Sequence, residues 1–175
     1  MNPQPQGTPP AAVVGESNLV VARFKDGRMI KGHTRDFVPA CLHFHVLPRG
    51  EMQTVKIDTA ELKAVFFVRD LAGNKWFHKK RAFPAFDAGP DAGRRISVLF
   101  EDGELLIGHA RTYAGDSPGF FVFPLDAREN NTRVYVLRAA TKEVRLGLGA
   151  EELARTAPRA QNEDAARRRR IFGEG

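Results

Sequence analysis

The sequence predicts an all-β protein made of two tandem five-stranded small barrels, packed on each other as a pseudo-dimer with flexible termini. Three observations predict this class: an internal repeat, a hairpin signal at the start of each repeat, and short strands that are apolar on both faces. The 175 residues suffice for one ordinary domain or two very small ones. With 42% hydrophobic and 27% charged residues, the chain is expected to fold.

The internal repeat registers at an offset of 76 positions, the distance from Phe24 to Phe100. Fixed-period similarity of this kind indicates a duplicated structural unit. A short insertion near Asn130 in the second repeat then shifts the offset to 79, which aligns the segment starting at Val55 with the one starting at Val134. The other aligned positions are Asp26-Gly27 with Asp102-Gly103, Gly32-His33 with Gly108-His109, Arg35 with Arg111, Phe37 with Tyr113, and Phe44 with Phe120.

Each repeat is predicted to contain five short strands. Asp-Gly between two apolar-rich segments predicts a two-residue hairpin turn, because such turns need positive φ at their central positions. Gly32 and Gly108 lie inside the second predicted strand, where a glycine indicates a bend or a close backbone approach. The later strands are expected at about 42–47, 53–58 and 63–69, and at 119–123, 132–138 and 142–146.

The predicted organisation has five parts. They are a disordered leader (1–17), a first barrel (18–69), a basic aromatic connector (70–94), a second barrel (95–147), and a short helix with a basic tail (148–175). Residues 69–95, which are the connector with Arg69 and Arg95 at its ends, carry +4 of the net charge of +6, so the rest of the chain is close to balanced. The single cysteine, Cys41, excludes an internal disulfide. Neither a secretory signal nor a run approaching the ~20 apolar residues of a bilayer span occurs. We therefore expect a cytoplasmic protein with no membrane partner.

The hairpin pattern resembles that of the Sm-like barrel family. Phe24-x-Asp26-Gly27-x4-Gly32 and Phe100-x-Asp102-Gly103-x4-Gly108 carry the resemblance, which covers both repeats. It implies a small five-stranded barrel, and members of that family commonly bind RNA and assemble into rings. Their RNA pocket uses an Asp-x-x-x-Asn loop and an Arg-Gly pair, and neither repeat has them. The resemblance therefore implies the fold and not an RNA pocket.

Two apolar segments, 62–68 and 118–124, also resemble an uncharacterised bacterial domain family. That resemblance implies a bacterial origin and no particular chemistry. Both segments contain runs that are apolar on both strand faces, so each strand must be covered twice. We interpret this as two barrels shielding each other's strands. The alternative is that these residues fill the interior of their own barrel.

The connector interleaves aromatic and basic residues, as sites for single-stranded nucleic acid or acidic partners do. The alternative is a linker whose aromatic residues tuck against a barrel. A run of arginines in the C-terminal tail is a second candidate patch. The candidate partner-binding residues are Lys75, Trp76, His78, Lys79, Lys80, Arg81, Arg167, Arg168, Arg169 and Arg170.

No catalytic site is predicted, and neither is a cofactor or metal. His43-x-His45 places two imidazoles on one strand face, but no third ligand is evident. His33 and His109 occupy equivalent positions, which a paired ligand site or a shared packing role would explain. Cys41 has no nucleophile signature around it, and no Gly-x-Ser-x-Gly, Walker or dinucleotide motif occurs.

We therefore expect a non-catalytic binding or adaptor module that mediates protein–protein interaction in bacterial regulation, with self-association left open. The alternative is RNA or single-stranded DNA binding through the connector and the arginine run. A cyclic-dinucleotide sensor ranks last, because the closest string to its Asp-x-Ser-x-x-Gly element, Asp116-Ser117-Pro118-Gly119, has the wrong spacing.

Overall fold

The computed structural model describes residues 17–73, 82–85 and 92–157. These residues are predominantly β, which confirms the predicted class. The first repeat contains β1 (Asn18–Phe24), β2 (Met29–Thr34), β3 (His43–Pro48), β4 (Val55–Asp58) and β5 (Leu62–Val68). The second contains β6 (Arg94–Phe100), β7 (Leu105–Ala110), β8 (Gly119–Val122), β9 (Asn131–Leu137) and β10 (Thr141–Leu146), followed by the helix α1 (Leu148–Thr156). Short 3₁₀ turns at Thr59–Glu61 and Arg138–Ala140 precede β5 and β10.

The strands pair antiparallel in two sheets. One sheet has the order β4-β3-β2-β1-β5-β9-β8 and the other has the order β10-β6-β7. A single bridge between His109 and Phe123 links β7 to the chain that follows β8. Pairing between β5 and β9 joins the two repeats into one sheet. The sequence predicted two separate five-stranded barrels, but the described strands form sheets of seven and three without a closed barrel, because β5 pairs across the repeat boundary.

The hairpin between the first two strands of each repeat is longer than predicted. Phe24 N–H donates to the Arg28 carbonyl and Gly27 N–H to the Phe24 carbonyl, so the loop has three residues. Only the glycine has positive φ, 91° at Gly27 and 82° at Gly103. The predicted two-residue turn is therefore wrong. Asp-Gly also suits a turn that is followed by one left-handed residue, and this is the turn found here.

The glycines inside β2 and β7 allow a close backbone approach, as predicted. A Cβ on Gly32 would lie 2.0 Å from the Leu47 carbonyl oxygen. A Cβ on Gly108 would lie 2.2 Å from the Phe123 carbonyl oxygen. Neither distance is sterically allowed, so both positions require glycine for the second strand to reach its neighbour.

Two hydrophobic cores share the strands at the junction. On β5, Val65 and Phe67 pack into the first core, formed mainly by β1 to β4, whereas Phe66 packs into the second, formed mainly by the second repeat. On β9 the assignment is crossed in the same way: Val136 lies in the second core and Tyr135 in the first. Each core therefore contains side chains from both repeats. This is the mutual shielding inferred from strands that are apolar on both faces.

A buried cation also crosses the junction. Lys63 of β5 is almost fully buried, and its Nζ lies 2.6 Å from Asp102 Oδ2 and 2.5 Å from Glu104 Oε2. Partial burial raises the pKa of Asp102, but the Lys63 hydrogen bond and the Glu104 backbone N–H outweigh it, so the pKa falls below its ordinary value. The first repeat thus holds the hairpin turn of the second by a charged contact.

Candidate binding surface

One face of β8 and β9 forms the contact with the first repeat. Phe121 and Tyr135 lie on this face, with ring centroids 5.1 Å apart, and both pack on the first core. Gly119 leaves room for the tyrosine, because a Cβ there would lie 2.6 Å from the ring. The Tyr135 hydroxyl accepts a hydrogen bond from Ala40 N–H at 2.9 Å. This face is therefore a built interface inside one chain.

The same face of the first repeat has different chemistry. At the offsets of 76 and 79, Gly119 and Phe121 correspond to His43 and His45 of β3, and Tyr135 and Leu137 correspond to Lys56 and Asp58 of β4. Within the first repeat, His43 lies opposite Asp58 and His45 lies opposite Lys56. We call these four residues the outer face; each of them is exposed or half-exposed. The repeat thus keeps the geometry of a docking face but carries ionisable side chains on it.

Asp36 fixes one side of the outer face. Its Oδ2 lies 2.7 Å from His45 Nδ1, and its Oδ1 accepts from the His45 backbone N–H at 2.9 Å. The Thr34 hydroxyl donates to the same Oδ1 at 3.2 Å. Partial burial raises the pKa of Asp36, but the hydrogen bonds from His45 and Thr34 more than offset it, so the pKa lies below its ordinary value. The carboxylate of Asp36 therefore stays charged and holds the His45 ring in place.

The backbone of β4 forms an open sheet edge. Thr59 N–H donates to the Leu42 carbonyl at 3.0 Å, so these two residues form a hydrogen-bonded pair. Such pairs alternate with non-hydrogen-bonded pairs along an antiparallel ladder, so His43–Asp58 and His45–Lys56 are non-hydrogen-bonded pairs. The N–H and C=O groups of Lys56 and Asp58 therefore point away from β3. Within the described ranges no strand pairs with this edge. In the second repeat, the counterpart of Lys56 is Tyr135, which pairs with Val65 of β5.

Exposed apolar side chains flank this edge. Leu42, just before β3, is 81% exposed, and Met52, in the loop between β3 and β4, is 97% exposed. Exposed apolar groups concentrated in one place mark interaction sites more often than scattered ones do. Among the residues described, the large exposed hydrophobic side chains of the first repeat all lie between the start of β2 and β4: Met29, Val38, Leu42, Met52 and Val55.

Each repeat also has a pocket at equivalent positions. The pocket of the first repeat measures about 570 Å³ and is lined by His33, Arg35 and His45, among others. The pocket of the second repeat measures about 840 Å³ and is lined by their counterparts His109 and Arg111. The Gly-His-x-Arg segment that both repeats share thus lines a pocket in each.

Comparison with known families gives one match. Residues 16–147 match a family of unknown function, DUF6982. The chain belongs to the DUF6982 family. No curated protein and no solved structure matches it. The matched segment spans both repeats, so the duplicated architecture falls within the family's boundaries.

Of the residues singled out in the sequence, some lie inside the described DUF6982 structure. His33 is exposed and lies 3.2 Å from the Ser17 hydroxyl, whereas His109 is buried and its backbone pairs with Phe123. The two histidines line separate pockets and do not form a joint site. Among the described residues, no group of three metal-ligating side chains occurs around His43 and His45 or elsewhere. The described helices are too short or too polar to cross a bilayer.

The predicted partner-binding residues of the connector and the tail lie outside the described residues. They are Lys75, Trp76, His78, Lys79, Lys80, Arg81, Arg167, Arg168, Arg169 and Arg170. Sequence reasoning did not single out Arg94, Arg95 and Arg111 as a group. The repeated Gly-His-x-Arg segment was the available signal for Arg111.

Proposed function

We propose that the DUF6982 chain is a non-catalytic binding module whose β4 edge takes up an extended segment of a protein partner. The observation that carries this proposal is the contrast between equivalent edges. The edge of β9 is filled by β5, whereas the same edge of β4 is open among the described residues. Addition of a strand to a sheet edge is a common mode of peptide recognition.

The side chains around the edge indicate which partner strand would fit. Ile57 packs on the first core, whereas Val55 on the same face of β4 is exposed, as are Leu42 and Met52 nearby. The opposite face carries the outer-face residues, including Lys56. A matching strand is therefore amphipathic, with apolar residues on one face and charged residues on the other. Backbone hydrogen bonds supply affinity, and the charged face rejects strands that are apolar on both sides.

We further propose that each repeat is a variant of the Sm-like small barrel that acts as an adaptor in bacterial regulation. Support for the fold comes from the five strands in the same order in both repeats, and from the bent second strand that its glycine permits. The regulatory setting rests on the resemblance and on the open edge. A binding role rather than a catalytic one is supported by the outer face, where Asp36 holds His45 and the other residues pair across β3 and β4.

Substitution of Lys56 tests the edge directly. Lys56→Pro removes an N–H that points away from β3, and edge positions tolerate proline. Lys56→Gln removes the same charge but keeps that N–H. We expect a pull-down from native-host lysate to recover the same protein with wild-type and Lys56→Gln chains, and at least tenfold less with Lys56→Pro. Equal recovery with both variants, or no protein recovered with wild type, would contradict the proposal.

The same pull-down distinguishes the proposed protein partner from the alternative of nucleic-acid binding. RNA or single-stranded DNA binding through the connector predicts recovery that nuclease treatment abolishes, with affinity that falls steeply as salt rises. Neutralising Lys79, Lys80 and Arg81 would then remove binding, and Lys56→Pro would not. The proposed protein partner instead survives nuclease and depends on Lys56.

A further inference from the structure

The pocket of the second repeat lies where β6 begins, beside β7 and the first turn of α1. Its volume of about 840 Å³ is within the range of small-molecule sites, which is roughly 300–1,000 Å³. We propose that this pocket binds a small phosphate-bearing organic anion. The site is separate from the β4 edge, so the inference does not depend on the proposed function.

The charge of the lining selects an anion. Arg94, Arg95 and Arg111 line the pocket together with a single carboxylate, Glu151. That carboxylate already has a partner, because Arg95 Nη1 donates to Glu151 Oε1 at 2.5 Å. Arg94 and Arg111 are exposed, and no carboxylate of the described residues pairs with either. Arg94 and Arg111 therefore line the pocket without a carboxylate partner among the described residues, and a guanidinium group offers donors that a phosphate can accept in pairs.

Several contacts hold the site in place before any ligand binds. The Arg111 guanidinium lies 4.6 Å from the centroid of the Phe123 ring, which fixes its direction. Arg95 is also held by the Pro84 carbonyl, which accepts from its Nη2 at 2.8 Å. Gly93 packs so tightly that a Cβ would lie 2.6 Å from the Ala110 carbonyl oxygen. At Gly93 the pocket wall is therefore backbone, and together these contacts give a ligand a preorganised surface.

The pocket of the first repeat serves as an internal comparison. It keeps the His-x-Arg segment, but at the offset of 76 the residues that correspond to Arg94 and Arg95 are Asn18 and Leu19. It also includes the carboxylate of Asp36. The inherited His-x-Arg segment is thus common to both repeats, whereas the excess of arginines is confined to the second. A shared packing role does not account for that difference.

The size of the pocket favours a phosphate attached to an organic body. Inorganic phosphate would satisfy two guanidinium groups but fill little of the volume. Leu148, at the start of α1, is 83% exposed and lines the same pocket, so it offers an apolar contact to such a body. The positive end of the α1 dipole adds to the attraction for the anion.

Calorimetric titration of the full chain at constant ionic strength tests the site, with inorganic phosphate and adenosine 5′-monophosphate as the two probes. We expect saturable binding, weakened at least tenfold by Arg111→Gln and by Arg94→Gln, because charge-assisted hydrogen bonds are lost. Arg35→Gln, the matched change in the first repeat, should leave the affinity unchanged. Both substituted residues are exposed, so thermal unfolding without ligand should match that of the wild type.

The two probes distinguish the sources of binding. Tighter binding of the nucleotide supports the proposal, because it shows that the organic body contacts the pocket. Equal binding of the two probes would overturn the proposal of an organic ligand, because it shows that only the phosphate group is bound. Failure of both probes to saturate at 10 mM, on the order of the weakest useful small-ligand affinity, would overturn the proposal. Equal weakening by Arg35→Gln and Arg111→Gln would overturn it as well.

Discussion

At the scale of single residues, Gly108 is one of the two strand glycines where the neighbouring backbone leaves no room for a side chain. Alanine there would place a Cβ 2.2 Å from the Phe123 carbonyl oxygen and 2.7 Å from Val122 Cγ1, and backbone cannot move away cheaply. We expect Gly108→Ala to lower the free energy of unfolding by on the order of 3 kcal/mol. Chemical denaturation followed by circular dichroism measures the change.

Gly149 provides the matched control. It lies in the first turn of α1, and a Cβ there would meet only ordinary contacts at 3.6 Å or more. Gly149→Ala should therefore be neutral or stabilising by up to about 1 kcal/mol, the helix preference of alanine over glycine. A Gly108→Ala protein as stable as the Gly149→Ala protein would refute the close approach.

The contact between Lys63 and Asp102 predicts a specific pH dependence. The pKa of Asp102 is lowered in the folded protein, so its contribution to stability is present above the ordinary value of 3.8 and disappears as pH falls through the lowered value. Asp102→Asn should cost about 1 kcal/mol or less at neutral pH, because the carboxylate is partly exposed and Glu104 still pairs with Lys63.

The difference in stability between wild type and Asp102→Asn should therefore shrink towards zero in acid, which urea unfolding at a series of pH values can measure. Asp26, the equivalent residue, pairs with the exposed Arg28, whose hydrogen bond also lowers the pKa of that carboxyl group. Solvent screens this exposed pair, so Asp26→Asn should show a weaker pH dependence than Asp102→Asn. A wild-type advantage over Asp102→Asn that persists below the folded pKa would contradict the assignment.

Residue-level features differed in how well the sequence predicted them. The close backbone approach at Gly32 and Gly108 was predicted because both glycines recur inside apolar strands, where few other roles explain a repeated glycine. The turn at Asp26-Gly27 was predicted one residue too short, because the same dipeptide fits two kinds of hairpin loop. The partners of Lys63 could not be predicted, since both lie in the other repeat and no local pattern specifies them.

At the scale of elements, β5 belongs to both cores. Phe66 is buried in the second core although its strand belongs to the first repeat. Phe66→Ala should lower stability by about 3–5 kcal/mol and do so in a single transition seen equally by probes in either repeat. Met52→Ala, at a fully exposed position, should change stability by less than about 0.5 kcal/mol. Loss of structure in the first repeat alone would contradict a shared strand.

Among the described strands, β4 and β10 each lie at an outer edge of a sheet, and these two edges are mismatched for pairing between chains. In the register of the β5–β9 interface, Glu143 and Arg145 of β10 take the positions of Ala64 and Phe66, which pack into a core. Pairing β10 with the β4 of another chain would therefore bury an ion pair that now lies at the surface, at a desolvation cost. Charged residues on exposed edges commonly prevent such association.

The charged residues of β10 predict that the wild type is a monomer. An oligomer is expected when the β4 and β10 edges carry the apolar residues of the β5–β9 interface. The triple variant Lys56→Tyr, Glu143→Ala, Arg145→Phe restores the apolar residues of the internal interface to both edges. Light scattering should give the mass of one chain for wild type and for Lys56→Tyr alone, and a larger, concentration-dependent mass for the triple variant. A wild-type oligomer that Lys56→Pro dissociates would contradict this prediction.

The sequence predicted the strands better than their partners. Alternation and turn residues located the elements within a few positions, because these signals are local. Because β5 is apolar on both faces, the sequence indicated that each face packs against other residues. It did not indicate which strand of the second repeat would lie beside β5. The β5–β9 pair joins residues far apart in the chain, and no local sequence pattern specifies such a pairing.

At the scale of the whole molecule, the pockets were beyond sequence reasoning. The cationic pocket combines residues from the start of β6, the end of β7 and the first turn of α1. Each segment is unremarkable alone, and only the fold brings them together. The candidate residues chosen from the net charge lie in other parts of the connector and the tail, outside the described ranges.

We infer that the two repeats form one folding unit, because each core contains side chains from both. Separate expression of residues 1–87 and 88–175 tests it most directly, with circular dichroism and thermal unfolding as the measurements. Each fragment alone should lack cooperative unfolding, and mixing the two should restore a single transition in a one-to-one complex. Two fragments that each unfold cooperatively and do not associate would contradict the claim.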